Sequence, residues 1–302
     1  MNWTRLSTLL FAASFVTAAV AQRTAATAET RYVQVRGDRI AYRTIGSGSP
    51  ILIANRMRGT LDTWDPAFLD GLAAKHTLYW FDYPGISYSS GVLPSDHGQV
   101  ARFIADFATA VGVERFAVLG WSWGGMASQA LLIERPDRVS HAILIGTNPP
   151  GAVPIPIQQV FLERAVKPVN DLADEEVLFF EPRSESSRRA AKASRDRIYA
   201  RPDVVSRIPA DPTQFEVYFA AAKSFAADAD GRREKLCATR TPMLVVCGDN
   251  DTSTAGQNWL PLVGKLRNAQ FLFYSEAGHG PQHQHPELTA EYIVSFLART
   301  TP

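Results

Sequence analysis

Phe116-Ala117-Val118-Leu119-Gly120-Trp121-Ser122-Trp123-Gly124-Gly125 is an apolar run that ends in a serine with a glycine two residues to either side, and Met126 to Glu134 beyond it reads as a helix. A strand that enters a helix through Gly-x-Ser-x-Gly turns so sharply that the serine sits in strained backbone, with its hydroxyl exposed above the sheet edge. Gly120 and Gly124 stand where a side chain would collide across the turn, and Gly125 lets the helix pack closely. The helix N-terminus directs unpaired N–H groups toward negative charge forming near the serine. Ser122 is therefore the expected nucleophile. The five-residue pattern alone also arises by chance; the strand before it and the helix after it supply the context the motif requires.

From the elbow outward, the sequence resembles the α/β-hydrolase family over nearly the whole chain after the N-terminal segment. The resemblance implies an α/β fold, a mostly parallel eight-stranded sheet with helices on both faces and an inserted helical lid. It also implies a triad in the order serine, acid, histidine. Asp251 follows the apolar run 241–248, and His279 follows the run 270–278, in that order. In such a triad Ser122 attacks, His279 takes its proton, and Asp251 fixes the histidine tautomer and stabilises the imidazolium. His283 and His285 compete for the base position; His285 is expected to help cap a helix starting at Pro286, and His283 could face substrate. Asp249 is the second aspartate of its turn and is expected to hold that turn.

One loop departs from the family pattern. Relatives carry His-Gly after the third strand, where this chain has Asn55-Arg56-Met57-Arg58-Gly59. Alignment with the family gives the oxyanion donors as the backbone N–H groups of Met57 and Trp123, which survive a change of side chain. Asn55 could hydrogen-bond the loop or the substrate; Arg56 and Arg58 could attract an acidic substrate, but a pair of arginines beside a cleft is expected on a solvated or salt-bridged surface. Asp82, in Asp-x-x-Gly after the next strand, is expected to bond backbone N–H groups of its own loop.

The chain has 302 residues, 46% hydrophobic and 20% charged, with a formal net charge of +1. That is globular composition, and it excludes the strongly basic surface that a nucleic-acid partner would require. Met1 to Arg5 carries positive charge, Leu6 to Val20 is apolar, and Ala19-Val20-Ala21 is a small-x-small cleavage site, so residues 1–21 read as a signal peptide and the protein as exported, periplasmic or secreted. No stable membrane span is expected after cleavage. Residues 22–30 read as a linker, 31–148 and 237–302 as the hydrolase core, and 149–236 as the lid. The two cysteines, Cys237 and Cys247, flank and end one strand and are expected to be free thiols. Neither they nor the closely spaced histidines have the partners of a metal site, so metal and cofactor are both expected to be none.

Residues 31–46 read as a hairpin opening the sheet antiparallel, and 51–54, 78–81 and 142–145 as strands buried on both faces. Leu61 to Lys75 reads as a helix with Trp64, Phe68 and Leu72 on a core face, and Ser95 to Val113 as another, capped by Ser95. Beyond Asn148 a proline-rich exit leads into helices without strands. The basic run from Arg183 to Arg201 is expected to be a solvated helix face. Phe179, Phe180, Phe215, Tyr218 and Phe219 form aromatic faces in the lid that could line a substrate pocket. Together these features imply a serine hydrolase cleaving a carboxylic ester or lactone with a hydrophobic part through an acyl-enzyme. A non-catalytic ligand-binding protein on the same fold, an amidase, a perhydrolase and a carbon–carbon hydrolase are the alternatives.

Overall fold

Short runs of apolar and β-branched residues form the strands, and their alternation decides which face each side chain serves. The computed structural model describes residues 24–301; the expected signal peptide lies outside them. The strands are β1 (Arg31–Val35), β2 (Asp38–Ile45), β3 (Pro50–Ala54), β4 (Thr77–Phe81), β5 (Phe116–Trp121), β6 (Val139–Ile145), β7 (Met243–Gly248) and β8 (Ala269–Tyr274). They form one eight-stranded sheet in the order β1-β2-β4-β3-β5-β6-β7-β8. The β1–β2 and β2–β4 pairings are antiparallel and the rest parallel. The central strands β3, β5, β6 and β7 are buried almost throughout, as strands covered on both faces must be.

Leu52, Val118, Leu144 and Val245 point to one face, where α2 (His97–Ala110) and α3 (Trp123–Glu134) pack. Ile53, Leu119, Ile145 and Val246 point to the other, against α1 (Pro66–Ala73) and α11 (Pro286–Arg299), with Trp64, Phe68 and Leu72 in that layer as expected. Helix α1 is shorter than its apolar pattern, because Pro66 takes its first turn and Asp65 caps it by accepting from the Ala67 N–H. In α2 the cap is Asp96, which accepts from the N–H groups of Gly98 and Gln99, rather than Ser95.

Between β6 and β7 the chain forms α4 (Gln159–Ala165), α5 (Leu172–Phe179), α6 (Glu185–Ile198), α7 (Val204–Arg207), α8 (Pro212–Ala227) and α9 (Arg232–Ala238), with no strand among them. Asp171 begins α5 with a capping box and Asp211 caps α8 ahead of Pro212. Helix α9 runs across the expected boundary at 236/237 and buries Leu236 in the main core. The described part of the expected linker is docked rather than loose. Ala25 and Ala28 are buried, and the Ala25 N–H donates to Asp70 Oδ1 at 2.7 Å. Small side chains let this segment lie flat on α1. Cys237 and Cys247 are free, and no helix among the described residues is long and apolar enough to cross a membrane.

The crossing of β3, β5 and α3 is the tightest point of the fold. A Cβ built on Gly124 would lie 2.3 Å from the Ala54 carbonyl oxygen, and one on Gly120 would lie 2.3 Å from the Gly124 oxygen. Gly124→Ala is accordingly expected to destabilise the protein by roughly 1–3 kcal/mol, the usual range for overpacking, read as a lower midpoint in urea unfolding.

Candidate active site

Ser122 sits between β5 and α3 with φ 57° and ψ −118°, backbone that a non-glycine residue keeps only when its surroundings enforce it. Its N–H extends the sheet by donating to the Ile145 carbonyl at 2.8 Å, and its side chain lines a cavity of about 400 Å³. His279 reaches the same cavity from the loop between β8 and α10 (Pro281–Gln284). Trp121 Nε1 donates to the His279 carbonyl at 2.8 Å and ties that loop to the elbow.

Behind the histidine, the ring nitrogen Nδ1 is 2.8 Å from Asp251 Oδ2. Asp251 also accepts from the N–H groups of Ser253 and Thr254 at 2.7 and 2.8 Å, and from the Thr254 hydroxyl at 2.9 Å. Burial pushes the Asp251 pKa up, but His279 and these donors outweigh it, so the group is held below the ordinary carboxylate value. With Nδ1 so engaged, Nε2 is the nitrogen left for the cavity. Ser122 Oγ and His279 have no hydrogen bond between them among the described residues; such contacts commonly tighten only in the substrate complex. Met57 and Trp123 both line the cavity, and neither backbone N–H has an acceptor among the described residues.

Of the other expected pocket residues, Phe179, Tyr218 and Phe219 line this cavity, whereas Asn55, Phe180 and Phe215 do not. Asn55 is fully buried, accepting from Trp64 Nε1 at 2.6 Å and donating to the Phe81 carbonyl at 2.7 Å, so its amide is spent on the loop. Phe180 packs its backbone on Gly278, and the Phe215 ring lies beneath the Arg58 guanidinium, 4.9 Å from its Cζ. Phe161, from α4, also lines the cavity, which the sequence reading does not anticipate; its ring meets His279 edge-on with centroids 5.4 Å apart. Its signal was the apolar face of a short helix after the proline-rich exit.

The two arginines of the variant loop are not on a solvated surface. Arg58 is buried and donates to the carbonyls of Pro209, Ala165, Lys167 and Pro168 at 2.7–2.9 Å, which fastens the helical insertion to the core. Arg56 lines the cavity. The basic run of α6 is likewise engaged, since Arg197 forms a bidentate pair with Asp65 at 2.8 and 2.6 Å and Arg195 pairs with Glu175.

The competing residues have other partners. The His285 ring stacks on Tyr274 without capping α11 through its side chain. His283 is buried outside the main cavity, and its Nε2 accepts from the Asp65 N–H at 3.3 Å. Asp249 accepts from the Asn250 side-chain amide at 2.8 Å and from the Ala277 N–H at 3.2 Å, joining its turn to the loop before His279. Asp82 accepts from the N–H groups of Leu61 and Tyr88, and burial raises its pKa to about 7. Among the described residues no group of three or more His, Cys, Asp or Glu could hold a metal ion.

Compared with known proteins, the family model described as alpha/beta hydrolase fold matches residues 50–286. A 2-hydroxy-6-oxononadienedioate/2-hydroxy-6-oxononatrienedioate hydrolase of Burkholderia vietnamiensis is 25% identical over 292 residues, covering 90% of this chain and 96% of that protein. An alpha/beta hydrolase fold protein from Chitinophaga pinensis has a similar structure, with a TM-score of 0.82 at 29% identity, covering 92% of this chain and all of that one (100%). A meta-cleavage product hydrolase from Pseudomonas fluorescens IP01 shares the fold with a TM-score of 0.67 at 16% identity, covering 89% of this chain and 97% of that one.

Burial, chiefly, lowers the His283 pKa from 6.5 to about 4. As pH falls below 6.5 the unfolded chain therefore takes up this proton before the folded protein does, and stability that is present above pH 6.5 is lost toward pH 4. Asp82, with its raised pKa, works in the opposite direction, so the expected readout is a difference: the gap in Tm between wild type and His283→Gln narrows as pH falls from 6.5 to 4.

Proposed function

Because the chain belongs to the alpha/beta hydrolase fold family, we propose that it is a serine hydrolase in which Ser122 attacks a carbonyl carbon and forms an acyl-enzyme. The observation that carries this reading is the 2.8 Å contact of His279 Nδ1 with a buried Asp251, made at the cavity that Ser122 lines. His279 takes the Ser122 proton and returns it to the leaving group, and Asp251 holds the ring and stabilises its charge. The unspent N–H groups of Met57 and Trp123 receive the oxyanion. Water then hydrolyses the acyl-enzyme with the same histidine as base.

The bond cleaved is read from the similar proteins. A 2-hydroxy-6-oxononadienedioate contains a ketone and no ester, so its hydrolysis must break a carbon–carbon bond beside that ketone. This favours carbon–carbon cleavage of a small carbonyl compound. An ester or lactone with a hydrophobic part is the second reading, supported by the apolar residues that dominate the cavity wall, among them Phe161, Leu162 and Phe179. Export by residues 1–21 is part of the proposal and rests on the charged, apolar and small-residue order of that segment.

Kinetics on both substrate types test it. A 2-hydroxy-6-oxo-dienoate is followed by loss of its absorbance, and a p-nitrophenyl ester by release of nitrophenolate. Ser122→Ala and His279→Ala are expected to lower kcat at least about a thousandfold and Asp251→Asn at least about a hundredfold. Full activity in Ser122→Ala would contradict the mechanism, whereas turnover of the ester alone would select the second reading.

A further inference from the structure

The loop that replaces the family's His-Gly places a cation inside the cavity with most of its hydrogen-bonding capacity unused. Arg56 Nη1 donates to the Met57 carbonyl at 2.8 Å. Its Nε is buried with no partner, and Nη2 makes no hydrogen bond among the described residues. Nε–H and the adjacent Nη2–H lie on one edge of the planar guanidinium, so the two free donors form a single fork, the shape that receives both oxygens of a carboxylate. The rings of Phe179 and Trp121 hold the plane, 4.5 and 5.2 Å from Cζ.

No carboxylate bonds this cation directly, although the charge of Glu175 partly offsets it. Glu175 lines the same cavity, but its carboxylate is spent on Arg195 and on the Tyr199 hydroxyl at 2.6 Å. Arg58 is a second positive charge, and Tyr199 and Tyr218 are phenols whose pKa values burial raises. Burial lowers the Arg56 pKa to about 10, so the group is still charged at neutral pH. An unpaired buried guanidinium is costly unless an anion meets it.

We infer that Arg56 is a substrate-binding residue, and that the compound cleaved at Ser122 carries a carboxylate which docks on the Nε/Nη2 fork. This rests on the reading of the cavity as the substrate site and adds to it the residue that receives the acid end of a carbonyl compound that is also a carboxylic acid. Arg56 directly precedes Met57, whose unpaired N–H is the proposed oxyanion donor. One short segment thus fixes the acid end and the reacting carbonyl of the same molecule, which sets the register of the chain between them. The competing occupant of the fork is a water in the side cavity of about 20 Å³ that Arg56 also lines.

Calorimetric binding of 6-phenylhexanoate and of 6-phenylhexanamide to the wild-type protein at pH 7 separates the two. The acid is expected to bind about tenfold tighter or more, the range of a charge-assisted fork, and Arg56→Gln to bring the two within about twofold, with Arg56→Lys between. Equal binding of acid and amide to wild type, or a preference that survives in Arg56→Gln, would overturn the assignment and leave the fork to water. Should Arg56→Gln fail to fold by circular dichroism, the wild-type comparison and Arg56→Lys decide. Neither probe has an ester or a ketone, and repeating the pair with Ser122→Ala keeps the preference independent of turnover. Loss of the preference with Ser122-dependent hydrolysis intact removes the carboxylate site alone, and the preference without hydrolysis removes the catalytic reading alone.

Discussion

Everything at the site depends on holding Ser122 at a φ of 57°. Such backbone costs on the order of 1–3 kcal/mol, and the structure sustains it from both sides: the Ser122 N–H is locked into the sheet at Ile145, and α3 begins at the next residue, pressed against the β3 carbonyls through Gly124. Only glycine fits at position 124 against the Ala54 carbonyl. That close approach brings the loop after β3 beside the start of α3, so the Met57 and Trp123 amides come to one cavity. The elbow therefore sets the positions of the hydroxyl and both amides at once.

The helical insertion covers this point, and arginines fix it there. Arg58 reaches up from the core loop to four insertion carbonyls. Arg197 reaches down from α6 to Asp65. Arg201 lies 3.4 Å from Asp62, itself paired at 2.7 Å with Arg43. Three of the four Arg58 contacts run to carbonyls at the end of α4 and just beyond it, which need donors because a helix leaves its last carbonyls unpaired. A cover fastened in this way keeps Phe161 and Phe179 against the cavity. In an apolar site of that kind, fixed donors act on developing charge more strongly than they would in water.

The strands, the elbow and the positions of Asp251 and His279 were legible in the sequence because each is dictated locally, by alternation, by glycine sterics or by a turn that ends a strand. What escaped was the direction of side chains in loops. Asn55 looks equally suited to substrate or backbone, and only the indole of Trp64, nine residues on, decides it. Arg56 and Arg58 carry the signature of surface residues, and their burial follows from an insertion that begins about ninety residues later and folds back over them. Among the lid aromatics, Phe215 and Phe179 share a composition, yet one supports Arg58 and the other lines the cavity, a difference set by how α5 and α8 dock. The expected linker likewise read as small and polar, with nothing local to show that its alanines fit α1.

The central claim is that Ser122 is activated by His279, and its most direct measurement is the site of covalent reaction with a fluorophosphonate, mapped by mass spectrometry on intact, folded protein. The account predicts a single adduct on Ser122, abolished in His279→Ala and slowed in Asp251→Asn. Folded wild-type protein that leaves Ser122 unlabelled, or labelling that is unchanged in His279→Ala, would contradict it.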